Sequence, residues 1–323
     1  MPELDTKSTP RIGYFSPFVP PEWIAAHGAA PVLLSIQQSQ SSFENVLTSS
    51  RRGVCSCAGD LLDRLMSGTS LQGVVLPTTC DQLRYATALL QERTSTPLFL
   101  FNVPSTWRSD ASRSYYAEEL LRFGRFLGSI TGMTGITDVT SPDQESLIDA
   151  MREFDAARTE RRCSMEGESR HLEERIVRLA LVGGPLFVNE REELVSGLKQ
   201  LGARLVLDAS EFGERTMPDT FRPHGLQSDP FEELVRAYFD AIPDVFRRPD
   251  SMLHDWLMRR FEERNVQGVL IRRHVFCDLW NGAASRIRKR SGLPTLDLHV
   301  GQGEDAAASR TWGRIEAFLE CFS

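Results

Sequence analysis

Gly73-Val74-Val75-Leu76-Pro77-Thr78-Thr79-Cys80-Asp81 is a short apolar run that starts on glycine and ends at a cysteine. Gly268-Val269-Leu270-Ile271-Arg272-Arg273-His274-Val275-Phe276-Cys277-Asp278 has the same build. Neither run opens with the polar and apolar alternation of a half-exposed strand. Each therefore predicts a strand buried on both faces, as parallel sheets require. In each, Cys-Asp falls just past the carboxyl end of the strand, the edge where open α/β sheets place their ligands.

The correspondence extends outward. A helical pattern follows each cysteine, and then a Pro-led strand, Thr96 to Pro104 in the first half and Leu293 to Gly301 in the second. Amphipathic helices close the halves, Tyr115 to Leu127 and Trp312 to Phe322, with aromatics and leucines at helical spacing. Upstream, Arg11 to Phe15 opens one half and Arg178 to Pro185 the other; each is followed by a turn, a helix and a second strand, Ala29 to Leu34 or Gly202 to Asp208. Four matching elements in one order predict a duplicated α/β unit. The divisions expected are a disordered tail over 1–10, a first α/β domain over 11–141 with Cys55 and Cys80, a charged helical connector over 142–178, and a second α/β domain over 179–323 with Cys277.

A chain of 323 residues agrees with two such domains, and 41% hydrophobic with 25% charged residues is a globular composition. No run approaches the ~18 apolar residues of a membrane helix, and Met1 to Lys7 lacks the basic-then-apolar pattern of a leader, so a cytoplasmic protein is expected. The net charge of -7 argues against non-specific attraction to nucleic acid or an anionic membrane. Only three of the 37 basic residues are lysines, which we read as a mark of base composition rather than of an arginine site. The six cysteines are scattered, not framed as a disulfide set.

Several chemistries lack their sequence. Gly183-Gly184-Pro185 reads as a turn after a strand, not a dinucleotide fingerprint, and no Walker A, His-Glu-x-x-His or Gly-x-Ser-x-Gly pattern occurs. What remains is a set of thiols. Cys55 and Cys57 precede a helical pattern from Gly59 to Met66, where free N–H groups and the helix dipole favour thiolate. Cys80 and Cys277 stand at equivalent strand ends. Three soft sulfur ligands with an open fourth position suit an iron–sulfur cluster that performs chemistry. Spacing alone favours the plainer alternative of three unrelated buried cysteines, because no compact CxxC pair exists. Cys163 and Cys321 read as structural. His274 and His299, at strand ends, are either hydrogen-bonded structural histidines or weak candidates for acid–base work. Asp81 and Asp278 read as caps of the helices that follow, and the turn formers between Phe212 and Pro230 as a long loop.

At these residues the chain resembles the 2-hydroxyacyl-CoA dehydratase / benzoyl-CoA reductase family, in its cluster-binding subunits. The likeness runs through Ile12 to Phe15, Ala29 to Val32, Cys55, Gly73 to Asp81, Asn102 to Pro104 and Tyr115 to Leu120, then Gly183 to Leu186, Gly202 to Arg204, Phe276 to Asp278 and Arg314 to Glu320. It spans nearly the whole chain. It implies two Rossmann/flavodoxin-like parallel-sheet domains and a [4Fe-4S] cluster on Cys55, Cys80 and Cys277. It further implies a homologous second subunit, an acyl-CoA substrate, and a separate ATP-dependent activator iron–sulfur protein, in keeping with the missing nucleotide loop. Dehydratases of the family eliminate water through a ketyl radical, whereas its reductases reduce an aromatic ring. An electron-relay partner subunit, a double-cubane-like reductase and a cluster-free scaffold subunit are the other readings open to the chain. The family commonly has Pro, an aromatic and Ala-Arg after its first cysteine where this chain has Ser56-Cys57-Ala58-Gly59. That leaves Cys57 as an alternative or a fourth ligand.

Overall fold

The computed structural model describes residues 9–37, 54–132, 141–167, 176–300 and 305–322. The expected tail is thus outside the described residues over 1–8, as are 168–175 of the connector and the end of the last Pro-led strand at 301. In chain order the elements are β1 (Arg11–Tyr14), α1 (Pro21–Ala26), β2 (Ala30–Leu33), α2 (Ser56–Met66), β3 (Gly73–Pro77), α3 (Asp81–Arg93), β4 (Leu98–Phe101), α4 (Asp110–Thr131) and α5 (Gln144–Gly167). Then follow β5 (Val177–Gly183), α6 (Glu190–Gln200), β6 (Ala203–Ala209), α7 (Pro223–Ser228), α8 (Pro230–Val235), α9 (Ser251–Glu263), β7 (Gly268–His274), α10 (Asp278–Ser291), β8 (Thr295–Val300) and α11 (Asp305–Leu319).

Two four-stranded sheets result, ordered β2-β1-β3-β4 and β6-β5-β7-β8, and every pairing is parallel. The strand order is identical in the two sheets, which is what a duplicated α/β unit predicts. Parallel neighbours need crossovers, and the helices between strands supply them.

The chain forms two compact units that do not follow one another simply along the sequence. The first holds Met1–Leu34, Leu65–Ala157 and Asp219–Ala241; the second holds Ser35–Arg64, Arg158–Pro218 and Ile242–Ser323. Cys80 therefore belongs to the first unit, while Cys55 belongs to the second with Cys277, not to the stretch of chain that carries Cys80. The connector is helical over α5, and the division between units falls within that helix. The expected long loop between Phe212 and Pro230 is instead a 3₁₀ turn (Glu214–Thr216) and the short helix α7. Pro223 and Pro230 each stand at the first position of a helix, where a missing N–H costs nothing.

Alternation along the strands of the second unit shows how both faces of a parallel sheet are covered. Ala180, Val182, Val269 and Ile271 face Leu253, Leu257 and Phe261 of α9 and Trp280, Ala283 and Ile287 of α10. Leu179, Leu181 and Leu270 face Leu194 and Leu198 of α6 and Ile315, Phe318 and Leu319 of α11. Each Val, Leu, Ile or Phe among them contributes about 1.5–3 kcal/mol by leaving water. In the first unit Phe101 meets Tyr116 and Phe123 of α4 edge-on, both at 5.8 Å between ring centroids. The glycines that start β3 and β7 have a common cause. A Cβ on Gly73 would lie 2.7 Å from Ile130 of α4, and one on Gly268 would lie 2.7 Å from Phe322, just after α11.

Candidate functional site

In both sheets the chain leaves its first strand toward one side and later returns on the other. The switch points are the carboxyl ends of β1 and β3 in the first unit and of β5 and β7 in the second, the crevices where open α/β sheets hold ligands. Cys80 and Cys277 occupy equivalent places there. Each is the residue immediately before a helix, α3 or α10, with backbone angles outside the helical region. Cys80 Sγ accepts from the backbone N–H of Leu83 at 3.5 Å. The caps are thus the cysteines, and Asp81 and Asp278, expected to cap, are the first helical residues, where their charge suits the dipole.

Cys55 and Cys57 flank the first residue of α2 and are both buried. The Ala58 N–H donates to Cys55 Sγ at 3.4 Å, as a helix start allows. Burial outweighs it, and the Cys55 thiol is pushed up from its ordinary value rather than down toward thiolate. Cys277 is pushed up to about 11, first by burial and then by the neighbouring Cys55 and Glu211. Glu211 acts on both thiols and Cys55 on Cys277, so the three groups lie in one neighbourhood of the second unit. Cys163 and Cys321, expected to be structural, are exposed.

Glu211 lies two residues beyond β6 and was not singled out by its sequence context. Its carboxyl is pushed up to about 7, mainly by burial, then by the charge of Asp244, with Arg215 opposing. Arg215 is itself buried; it donates to the carbonyls of Ala209 and Pro243 and pairs with Asp244.

His274 ends β7 and is 2% exposed. Its Nδ1 lies 2.6 Å from Ser56 Oγ, and its Nε2 is 2.9 Å from the Pro185 carbonyl and also meets Arg272 Nη1. Arg272, 1% exposed, stands over the Phe187 ring and is held by Glu190 through two hydrogen bonds. Burial, then the Arg272 charge, lowers His274 to about 3, so the ring is neutral at physiological pH. His299, on β8, meets Arg273 Nη2 through Nε2 and is exposed; partial burial and the Arg273 charge lower its pKa too. Of the histidines considered, His274 is structural in its contacts. Ser56, Glu190 and Arg272 escape a reading by motif, although an arginine inside an apolar strand run is itself a signal of a buried ion pair.

Among the described residues no group of three or more His, Cys, Asp or Glu side chains is arranged to hold a metal ion, and no helix is long and apolar enough to cross a membrane. What the fold defines is a protein of two α/β units with a cysteine at the switch point of each sheet. The chain belongs to the family of the 2-hydroxyglutaryl-CoA dehydratase D-component, whose profile matches residues 17–162 and 133–322. Comparison with curated proteins found no match. Among solved structures, the chain is similar to the laminin-binding protein of Streptococcus agalactiae, described as having adhesin and metal-transporting activity (11% identity over 97% of this chain and 99% of that one, TM-score 0.26). It is also similar to the periplasmic zinc-binding protein of Treponema pallidum (8% identity, 97% and 99%, TM-score 0.28). Likeness at that level does not bear on chemistry.

Proposed function

We propose that the chain is a [4Fe-4S] subunit of a 2-hydroxyacyl-CoA dehydratase, with Cys55, Cys80 and Cys277 as ligands. The observation that carries the reading is the equivalence of Cys80 and Cys277 at the switch points of two identically ordered sheets, with Cys55 in the neighbourhood of Cys277. Membership of the dehydratase family supports it. The donor set fits: thiolates are the ligands such clusters take, and three of them leave one iron position open. Cys57, buried one residue into α2, is the alternative or fourth donor.

A cluster held by Cys55, Cys80 and Cys277 would supply one-electron chemistry for the elimination of water from a 2-hydroxyacyl-CoA, the electron being returned at the end because the overall dehydration is redox-neutral. A homologous second subunit and an ATP-dependent activator iron–sulfur protein complete the system. The chain's own residues hold the thiols in place and keep water from them, which is where the buried setting of Cys55 acts. Because burial holds Cys55 and Cys277 protonated, metal binding must release those protons, so assembly weakens as pH falls. His274, kept neutral, is not an imidazolium acid at physiological pH.

The test is iron and acid-labile sulfide per chain after anaerobic purification, with electron paramagnetic resonance before and after dithionite, for the wild type and Cys277→Ala. One cubane per chain, lost or altered in the variant, is the expected outcome. A wild-type protein that stays metal-free after reconstitution removes the proposal and leaves a cluster-free scaffold. A dehydration assay against a ring-reduction assay then separates the dehydratase from a benzoyl-CoA-reductase-type subunit.

A further inference from the structure

We infer that Ser56 and His274 are positioning residues: their hydrogen bond fixes the first turn of α2, and with it Cys55, against the Cys277 end of the second sheet. The importance of that for catalysis rests on the cluster reading above, but the geometry does not.

Ser56 is the first residue of α2 and His274 the last of β7, 218 positions apart in sequence and 2.6 Å apart between Oγ and Nδ1, within the second unit. Both are buried. One residue before Ser56 stands Cys55, and three residues after His274 stands Cys277. The bond therefore joins the two segments that bring the thiols into one neighbourhood.

The imidazole is itself held from behind. Nε2 lies against both the Arg272 Nη1 donor and, at 2.9 Å, the Pro185 carbonyl; because Arg272 keeps its charge and can only donate, we take Nε2 as the acceptor from Nη1, which puts the ring proton on Nδ1, facing Ser56 Oγ. The Pro185 carbonyl accepts from the same Arg272 Nη1, and Glu190 fixes the guanidinium through both of its oxygens. Glu190 Oε2 also accepts from the Phe187 N–H at 2.8 Å, and the Phe187 ring stands edge-on to the imidazole with centroids 5.4 Å apart. The order Glu190, Arg272, His274, Ser56 thus runs from α6 through β7 to the helix that Cys55 immediately precedes. A histidine held from one side and offering a single proton on the other is oriented by its neighbours, as the outer partners of metal ligands orient the ligands themselves.

The test uses full-length metal-free protein and phenylarsine oxide, which bridges two thiols only when they converge, with the Cys55–Cys277 bridged peptides counted by mass spectrometry. Ser56→Ala and His274→Gln are expected to slow bridging about tenfold, the effect of losing one hydrogen bond of ordinary strength. Ser56→Thr keeps the hydroxyl, and His274→Asn keeps a polar atom at the place of Nδ1, so both are expected to retain most of the wild-type rate. Thermal unfolding of each variant shows that the fold is kept. Bridging at the wild-type rate in folded Ser56→Ala overturns the inference, and so does an equal loss in Ser56→Thr and Ser56→Ala, which would mark a packing role only. Iron content of the wild type is measured separately: no iron with normal bridging removes the cluster reading alone, whereas a normal cluster with unchanged bridging in Ser56→Ala removes this inference alone.

Discussion

Glu190 and Arg272 are joined by two parallel hydrogen bonds, Arg272 Nε to Glu190 Oε1 at 2.8 Å and Nη2 to Oε2 at 2.7 Å. The guanidinium is buried, so its charge depends on this one carboxylate. Removing a single partner of a buried pair leaves an uncompensated charge, at about 3–5 kcal/mol. Glu190→Ala is expected to lower the urea unfolding free energy by that amount. Glu190→Ala combined with Arg272→Met is expected to recover most of it, because the double variant has no orphaned charge. A double variant as unstable as the single one would mean that the loss comes from the hydrogen bonds to Phe187 and Pro185 instead.

Gly183 sets the close approach of β5 and β7 at their switch point. A Cβ there would lie 1.8 Å from the Arg272 carbonyl oxygen, backbone against backbone, with no flexible side chain to yield. Gly183→Ala is expected to destabilise the second unit by more than about 4 kcal/mol, in the range kept for strain at a special backbone position. Soluble yield and circular dichroism melting measure it. Gly184→Ala is the control, since a Cβ at that position meets nothing closer than the Trp280 ring nitrogen at 3.5 Å.

The apolar runs at Gly73 and Gly268 and the Pro-led strands after them were legible because a strand buried on both faces needs a run of apolar residues without polar alternation. The identical order of the two sheets followed from the repeat. Three features were not legible. Residues 35–64 and 219–241 each join the unit that the linear order does not suggest, because local pattern records which face is apolar but not what covers it. Cys80 and Cys277, not the aspartates, precede their helices, a difference of one residue that periodicity does not resolve. Finally, the helix start at Cys55 was expected to favour thiolate, and burial outweighs the N–H groups; burial depends on the packed unit, so the sign was not available from the sequence.

Glu211 ties stability to pH. Its ordinary value is 4.5 and its value in the fold is about 7, so the fold binds this proton more tightly than the unfolded chain does. The contribution is complete below pH 4.5 and is lost as pH climbs through 7, where the ionised carboxylate costs roughly 3 kcal/mol. Glu211→Gln cannot ionise. Urea unfolding at a series of pH values is expected to show the variant no more stable than wild type near pH 4.5 and roughly 3 kcal/mol more stable at pH 8. A constant difference across that range would mean that Glu211 does not titrate in it.

The thiol of Cys277 has an ordinary value of 9.0 and is pushed up to about 11. At pH 8 that reduces the thiolate fraction about 100-fold, while the greater basicity of the thiolate recovers about tenfold in nucleophilicity. Iodoacetamide is therefore expected to label Cys277 of the metal-free protein about ten times more slowly than free cysteine at pH 8, with a rate still rising at pH 10. Rapid labelling that levels off by pH 8 would show that helix-start N–H groups prevail over burial.

Phe276 is the residue just before Cys277, and its backbone sits at φ 68°, in the left-handed region, while its side chain is 55% exposed. A bulky side chain in that region costs about 1–2 kcal/mol. Glycine adopts the conformation freely but gives up about 0.5–1 kcal/mol to the greater freedom of the unfolded chain. The ring loses little, because it is largely in water. Phe276→Gly is expected to raise the unfolding free energy by about 0.5–1 kcal/mol, and Phe276→Ala, which keeps the strained backbone without the ring, to leave it nearly unchanged. Chemical denaturation of the two variants beside wild type measures both. Equal destabilisation in the two would mean that the ring packs against the second unit more than its exposure implies.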